Sequence, residues 1–113
     1  MRKTDKKLEK QLREQLTYVC EHALKQVVGF QWLTHKVNYA DFPKSLQVVC
    51  VFDSNENLMR YTASESQLLN HEIAAVLRAL NVNVKAVKDL IAFDTEERCN
   101  YEHEGNWAKR LQV

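Results

Sequence analysis

Leu8, Leu12, Leu16, Val19, Ala23 and Val27 recur at intervals of four, four, three, four and four residues. That spacing lays six apolar side chains on one face of an α-helix. Cys20 and Leu24 widen the stripe, while Lys10, Glu14, Thr17 and Glu21 point away from it. Glu9 with Arg13 and Glu21 with Lys25 are i,i+4 pairs in the favourable order. Thr4 or Asp5 is predicted to cap the start, and Gly29 stands where a left-handed residue closes a helix. A helix with so broad an apolar face must cover another layer, which limits the chain to packed architectures.

The layer beneath is predicted to be a small sheet. Phe30–Tyr39 is aromatic and β-branched, with Phe30, Trp32 and Thr34 on one face and Leu33, Val37 and Tyr39 on the other beside His35. Pro43 interrupts it and holds Phe42 extended. Leu46, Val48, Cys50 and Phe52 form one face of a second strand, and Val49 and Val51 make its reverse face apolar as well. Such a strand belongs in the middle of a sheet. The two read as a hairpin with a loop of five or six residues.

After Asp53-Ser-Asn-Glu-Asn, the segment Leu58–Thr62 fits either a short helix or an extended connector. Ser64 with Gln67, or Thr62 with Glu65, has capping-box spacing. Leu69, Ile73, Val76 and Leu80 then form a second helical stripe that Asn81 can close. Leu90–Phe93 is a short strand, followed by a polar tail ending in Trp107 and Leu111. The order helix, strand, strand, helix, strand predicts an α+β fold of two layers, with helices packed on a small mixed sheet. If the third strand lies parallel to the second, the helix between them is a crossover. At 113 residues the chain is expected to be one domain over 1–113, with about 1–4 and 100–113 peripheral.

Composition excludes several functions. Two glycines, Gly29 and Gly105, build neither a dinucleotide nor a P-loop phosphate cradle. Sixteen basic against fifteen acidic residues exclude a general polycation. Three cysteines, Cys20, Cys50 and Cys99, lack a CxxC pair and are odd in number, so reduced thiols in a cytoplasmic protein are expected. The charged opening Met1-Arg-Lys-Thr-Asp-Lys-Lys is expected to be neither a signal peptide nor a transit peptide, and the longest apolar run, Val48–Phe52, is too short to span a bilayer.

The candidate sites are few. Val51-Phe-Asp-Ser-Asn-Glu56 and Ala92-Phe-Asp-Thr-Glu-Glu97 echo one another after two strands. Gathered together, Asp53, Asp94 and the nearby glutamates would suit a divalent cation or acid–base work. Alternatively, Asp, Ser and Thr there cap helices and Glu occupies the first turn, which the sequence favours. Cys99 and His103 have the i,i+4 spacing of half a zinc site, but no second pair completes it. Cys20 and His22 point apart on a helix. His71 lies opposite its apolar stripe, His35 is expected to be half-buried, and neither has a nucleophile motif beside it. No metal or cofactor is implied.

Charge is uneven along the chain. Residues 1–13 carry Arg2, Lys3, Lys6, Lys7, Lys10 and Arg13 against Asp5 and Glu9, whereas 89–104 carry six acids against Arg98. The basic start is either a phosphate-binding patch on Lys3, Lys6, Lys7, Lys10 and Arg13, a surface that steers a partner, or a solvated helix end attracted to the acidic tail.

The helix–hairpin–helix–strand order over about residues 5–95, with the turn Tyr39-Ala-Asp-Phe-Pro-Lys, resembles the type II KH arrangement of ribosome-binding factor A. That resemblance implies binding to the RNA of the small ribosomal subunit. Relatives with a true KH motif use a GxxG loop, where this chain has Leu80-Asn-Val-Asn-Val. The whole chain, including Phe93-Asp-Thr-Glu-Glu and Gly105-Asn-Trp-Ala-Lys-Arg-Leu, also resembles a group of short bacterial proteins of unknown function, some described as Fis-type transcriptional regulators. A Fis-type protein ends in a basic helix-turn-helix, whereas residues 89–104 are acidic.

The combined expectation is a non-catalytic binding module for a protein partner. The alternative is RNA or DNA binding through the basic start of the first helix, or self-association through exposed Trp107 and Leu111. No membrane partner is expected.

Overall fold

The computed structural model describes residues 2–112; Met1 and Val113, the two ends of the expected domain, lie outside the described residues. The fold is α+β, with five α-helices among the described residues packed on a three-stranded mixed sheet. Helix α1 (Lys3–Gln26) leads into strand β1 (Phe30–Lys36), and a loop containing a short 3-10 turn at Tyr39–Asp41 returns the chain to β2 (Gln47–Phe52). Helices α2 (Asn55–Ala63) and α3 (Leu68–Ala79) carry the chain to β3 (Ile91–Thr95), and α4 (Glu96–His103) and α5 (Trp107–Leu111) follow. The sheet order is β1-β2-β3, antiparallel between the first two and parallel between the last two. β2 is central, as its two apolar faces require.

The front of the sheet carries the main core. Leu12, Leu16, Val19 and Ala23 of α1 meet Leu69, Ile73, Val76 and Leu77 of α3 over Val48, Cys50 and Phe52 of β2. Tyr61 of α2 joins this core against Phe52 and Phe93. Helix α1 starts earlier than its stripe suggests. Arg2 is its N-cap, without a side-chain bond, so neither Thr4 nor Asp5 caps it. Gly29 does take a positive φ of 84°, and a Cβ there would strike the side chain of Asn57.

Two local features overturn the alternation expected in the hairpin. Register slips between Phe30 and Trp32, leaving Gln31 as a bulge. Phe30 therefore packs on the front against Phe52, while Trp32 and Thr34 face the back. The connection between β1 and β2 is also longer than five or six residues, because β1 stops at Lys36. Pro43 lies in that loop, after a Phe42 held extended.

The segment Leu58–Thr62 is helical, as part of α2. Neither proposed capping box forms: Gln67 precedes α3 in the left-handed region, with no side-chain cap. Asn81 ends α3 with a φ of 58°, and Val82 donates back to Leu77.

The back of the sheet is not bare. Val49 and Val51 are buried, and α4 and α5, built from the supposed polar tail, lie over that face through Cys99, Trp107 and Arg110. Helices thus cover both faces, one layer more than the sequence suggests.

Candidate partner-binding surface

The echoed Phe-Asp-Ser/Thr segments end β2 and β3, but parallel register pairs Phe52 with Thr95 and Val51 with Asp94, so the echo is out of step in space. The two aspartates consequently part. Asp53 is exposed and accepts from Asn57 Nδ2 (2.9 Å), which together with backbone and side-chain bonds from Ser54 holds its carboxyl below the usual range. Asp94 faces the back of the sheet and is gripped by Arg110, whose Nε and Nη2 donate to its two oxygens at 2.6 and 2.9 Å.

The hydroxyl residues of the echo are the caps. Ser54 accepts from Asn57 N at the start of α2, and Thr95 accepts from Arg98 N at the start of α4. The two helix starts also lock together: Thr95 Oγ1 donates to Asn55 Oδ1 (2.7 Å), and Asn55 N donates to a Glu97 carboxylate oxygen (2.9 Å). Glu97 thereby occupies the anion position at the start of α2.

The remaining candidates near the C-terminus are structural too. Cys99 is fully buried, which pushes its thiol pKa up. His103 Nδ1 accepts from Arg110 Nη1 at 3.1 Å, so that ring nitrogen carries no proton. Arg110 also pairs with Glu102, and its carboxylate partners raise its own pKa further. Trp107 is not exposed for self-association. Its ring sits 4.8 Å from that of Trp32, edge to face, and the Glu96 carboxylate accepts from both indoles, at 2.7 Å from Trp32 and 3.0 Å from Trp107. Among the described residues no three His, Cys, Asp or Glu groups gather as a metal site.

One cluster escapes sequence reading. Glu9 Oε1 accepts from Tyr39 Oη (2.8 Å) and from His35 Nε2 (2.9 Å), joining the N-terminal part of α1 to the end of β1. Burial raises the Glu9 pKa, but the bonds from His35 and Tyr39, with the charges of His35 and Arg13, outweigh it and leave the carboxyl below its ordinary value. As a carboxylate accepts only, His35 carries its proton on Nε2. Burial and the Glu9 carboxylate both push the Tyr39 phenol upward. Cys20 lines the same groove as His35, but it lies eleven residues beyond Glu9, roughly 16 Å along the helix, so the two make no thiol–imidazole pair. Cys50 lies beneath; burial, with a smaller contribution from Cys20, pushes its thiol up to about 12. His71 is exposed, and His22 meets Glu72 of α3, Nδ1 to Oε2 at 3.0 Å.

Among the described residues two strand edges are left without a backbone neighbour, the outer sides of β3 and of β1, and a groove lies beside β1. The strand has a neighbour on one side only, and outside its pairing with β2 no backbone group from Gln31 to Lys36 bonds to another backbone group of the described residues. A groove of about 250 Å³ runs beside it, lined by Arg13, Thr17, Cys20, Leu33, Thr34 and His35. On α1 the residues Lys6, Lys10, Arg13, Thr17, Cys20 and Leu24 follow one another at helical spacing, so the helix stripe bordering the groove is basic in its first half. Of the five basic residues singled out by sequence, Lys6, Lys10 and Arg13 belong to that stripe. Lys3 and Lys7 project further round the helix. All five are exposed, and only Arg13 has an ion-pair partner among the described residues, Glu9 at 3.7 Å. No ion pair joins this cluster to residues 89–104, whose Asp94 and Glu102 are paired with Arg110 instead.

No helix among the described residues is long and apolar enough to cross a membrane. No protein-family model, curated protein or solved structure matches the chain.

Proposed function

We propose that this domain is a non-catalytic binding module that recognises a protein partner at the outer side of β1. One observation carries the reading: β1 offers an unpaired strand edge beside a groove, while four of the carboxylates that could do chemistry are engaged internally. Asp94 serves Arg110, Glu96 serves two indoles, Glu9 serves His35 and Tyr39, and Glu97 serves the start of α2. A carboxylate that must hold a buried or half-buried neighbour in place is poorly suited to cycle protons or metal. Strand addition at an edge, by contrast, uses backbone groups that already lack partners.

RNA or DNA binding through the basic start of α1 is the second reading, favoured by the exposure of Lys3, Lys6, Lys7, Lys10 and Arg13. The acids Asp5 and Glu9 within the cluster, and Glu21 in the neighbouring groove beside Leu16, Cys20 and Leu33, favour a protein. A photocrosslinking amino acid at Thr34, compared with one at exposed Lys85, separates the two. Nuclease-resistant protein adducts at position 34 alone are the expected result. Adducts that vanish with nuclease, or equal labelling at both positions, would contradict it.

A further inference from the structure

We infer that the occupant of the β1 edge is an extended segment of a partner protein, added as a fourth strand and acidic where it passes the start of α1; this rests on the protein-binding reading above. The available length of edge is short. The bulge at Gln31 breaks the ladder at one end, so Trp32–Lys36 is the stretch on which a regular strand can pair. About five residues of added strand match it. Neither neighbouring helix pairs with this edge: α1 lies over the front and contributes side chains to the groove, and α5 lies over the back, where Lys36 Nζ reaches the carbonyl of Leu111 (3.4 Å).

The bond between Glu9 and His35 fixes how α1 lies along β1, with the N-terminal part of the helix over the C-terminal end of the strand. Arg13 therefore lines the groove beside His35, and by helical spacing Lys10 and Lys6 continue its stripe toward the Lys36 end, past which Arg2 and Asp5 lie beside Val37 and Tyr39; Thr17, Cys20, Glu21 and Leu24 border the other end. A segment laid there meets cations at one end and, at the other, a strip containing Leu24, which is 52 % exposed. Carboxylates at the first end and apolar or hydroxyl side chains at the second complement that gradient.

The test uses the full chain, isotope-labelled, and three probes. One is an acetylated octapeptide with three aspartates followed by alternating valine and threonine. The second is the same peptide with lysine in place of aspartate, and the third is a single-stranded RNA octamer. The acidic peptide is expected to slow amide exchange within Trp32–Lys36, and to weaken about tenfold for the Lys6→Glu/Lys10→Glu variant but not for Lys85→Glu/Lys88→Glu. Equal binding of the lysine peptide, or binding of the acidic peptide without protection of β1, would overturn the proposal. So would preferential binding of the RNA, or protection of β1 that rises with protein concentration alone, which would identify a second copy. If the peptides fail while Thr34 still yields nuclease-resistant protein adducts, the acidic occupant is wrong and the protein-binding reading stands. If both fail, the reading itself falls.

Discussion

On the front of the sheet Leu12, Leu69, Ile73 and Phe52 exclude water completely, whereas on the back Trp32, Trp107, Asp94 and Arg110 meet through indole and guanidinium hydrogen bonds. Both faces bury β2, yet by different physics. The front relies on apolar area and tolerates changes that preserve volume. The back relies on polar groups that each need a named partner, so loss of one strands another. The first arrangement holds the main apolar core; the second fixes where α5 lies and covers that face, leaving the outer side of β1 open.

Substitutions can break this contrast. Ile73→Ala, in the fully buried front core, is expected to cost about 2–5 kcal/mol in urea unfolding, with a conservative Ile73→Val change costing under about 1.5. Arg110→Met is expected to cost about 3 kcal/mol, because Asp94, 14 % exposed, would be left without its cation. Adding Asp94→Asn should restore much of that loss, a recovery that no front-face pair would show. Additive losses in this double-mutant cycle would mean that the back face is ordinary packing.

The two caps sharpen the same comparison on a smaller scale. Thr95 is fully buried and both caps α4 and bonds Asn55, whereas Ser54 caps α2 and otherwise meets only the exposed Asp53. Thermal unfolding should therefore register about 2 kcal/mol for Thr95→Ala against about 1 for Ser54→Ala. Equal losses would show that the link between the two helix starts adds nothing.

Glu9 gives the smallest effect and a pH signature. Its folded-state pKa lies below the ordinary 4.5, so its contribution is fully present above 4.5 and disappears as pH falls through the folded value. Below pH 4.5 the native chain should lose stability more steeply than Glu9→Gln does. Parallel curves would remove Glu9 from the account.

Much of the front was legible in the sequence because periodicity encodes it. The spacing of Leu8 to Val27 and of Leu69 to Leu80 reports which side chains share a face, and the double apolar character of Val48–Phe52 reports a central strand. Phe30 was misplaced because a bulge at Gln31 breaks the period-two rule without leaving a glycine or proline to announce it. The back face was invisible for another reason. Trp32 and Glu96 are 64 residues apart, and Lys36 and Leu111 are 75 apart, so no local pattern connects them. Arg110 reads as an ordinary solvent-facing cation until Asp94 is seen beneath it.

Of the candidate surface, the basic residues were legible but their neighbour was not. Spacing places Lys6, Lys10 and Arg13 on one stripe; only the sheet order shows that the stripe borders an open strand. The carboxylate echo was informative for its hydroxyls rather than its aspartates, because Ser54 and Thr95 stand at helix starts while register separates Asp53 from Asp94.

Residue-resolved amide exchange of the free chain, at concentrations where it is monomeric, tests the central claim most directly. β2, paired on both sides, should exchange only with global unfolding, while those β1 amides that do not bond to β2 should exchange far faster. Protection of all β1 amides equal to that of β2 would show that the edge is already closed, and would contradict the account.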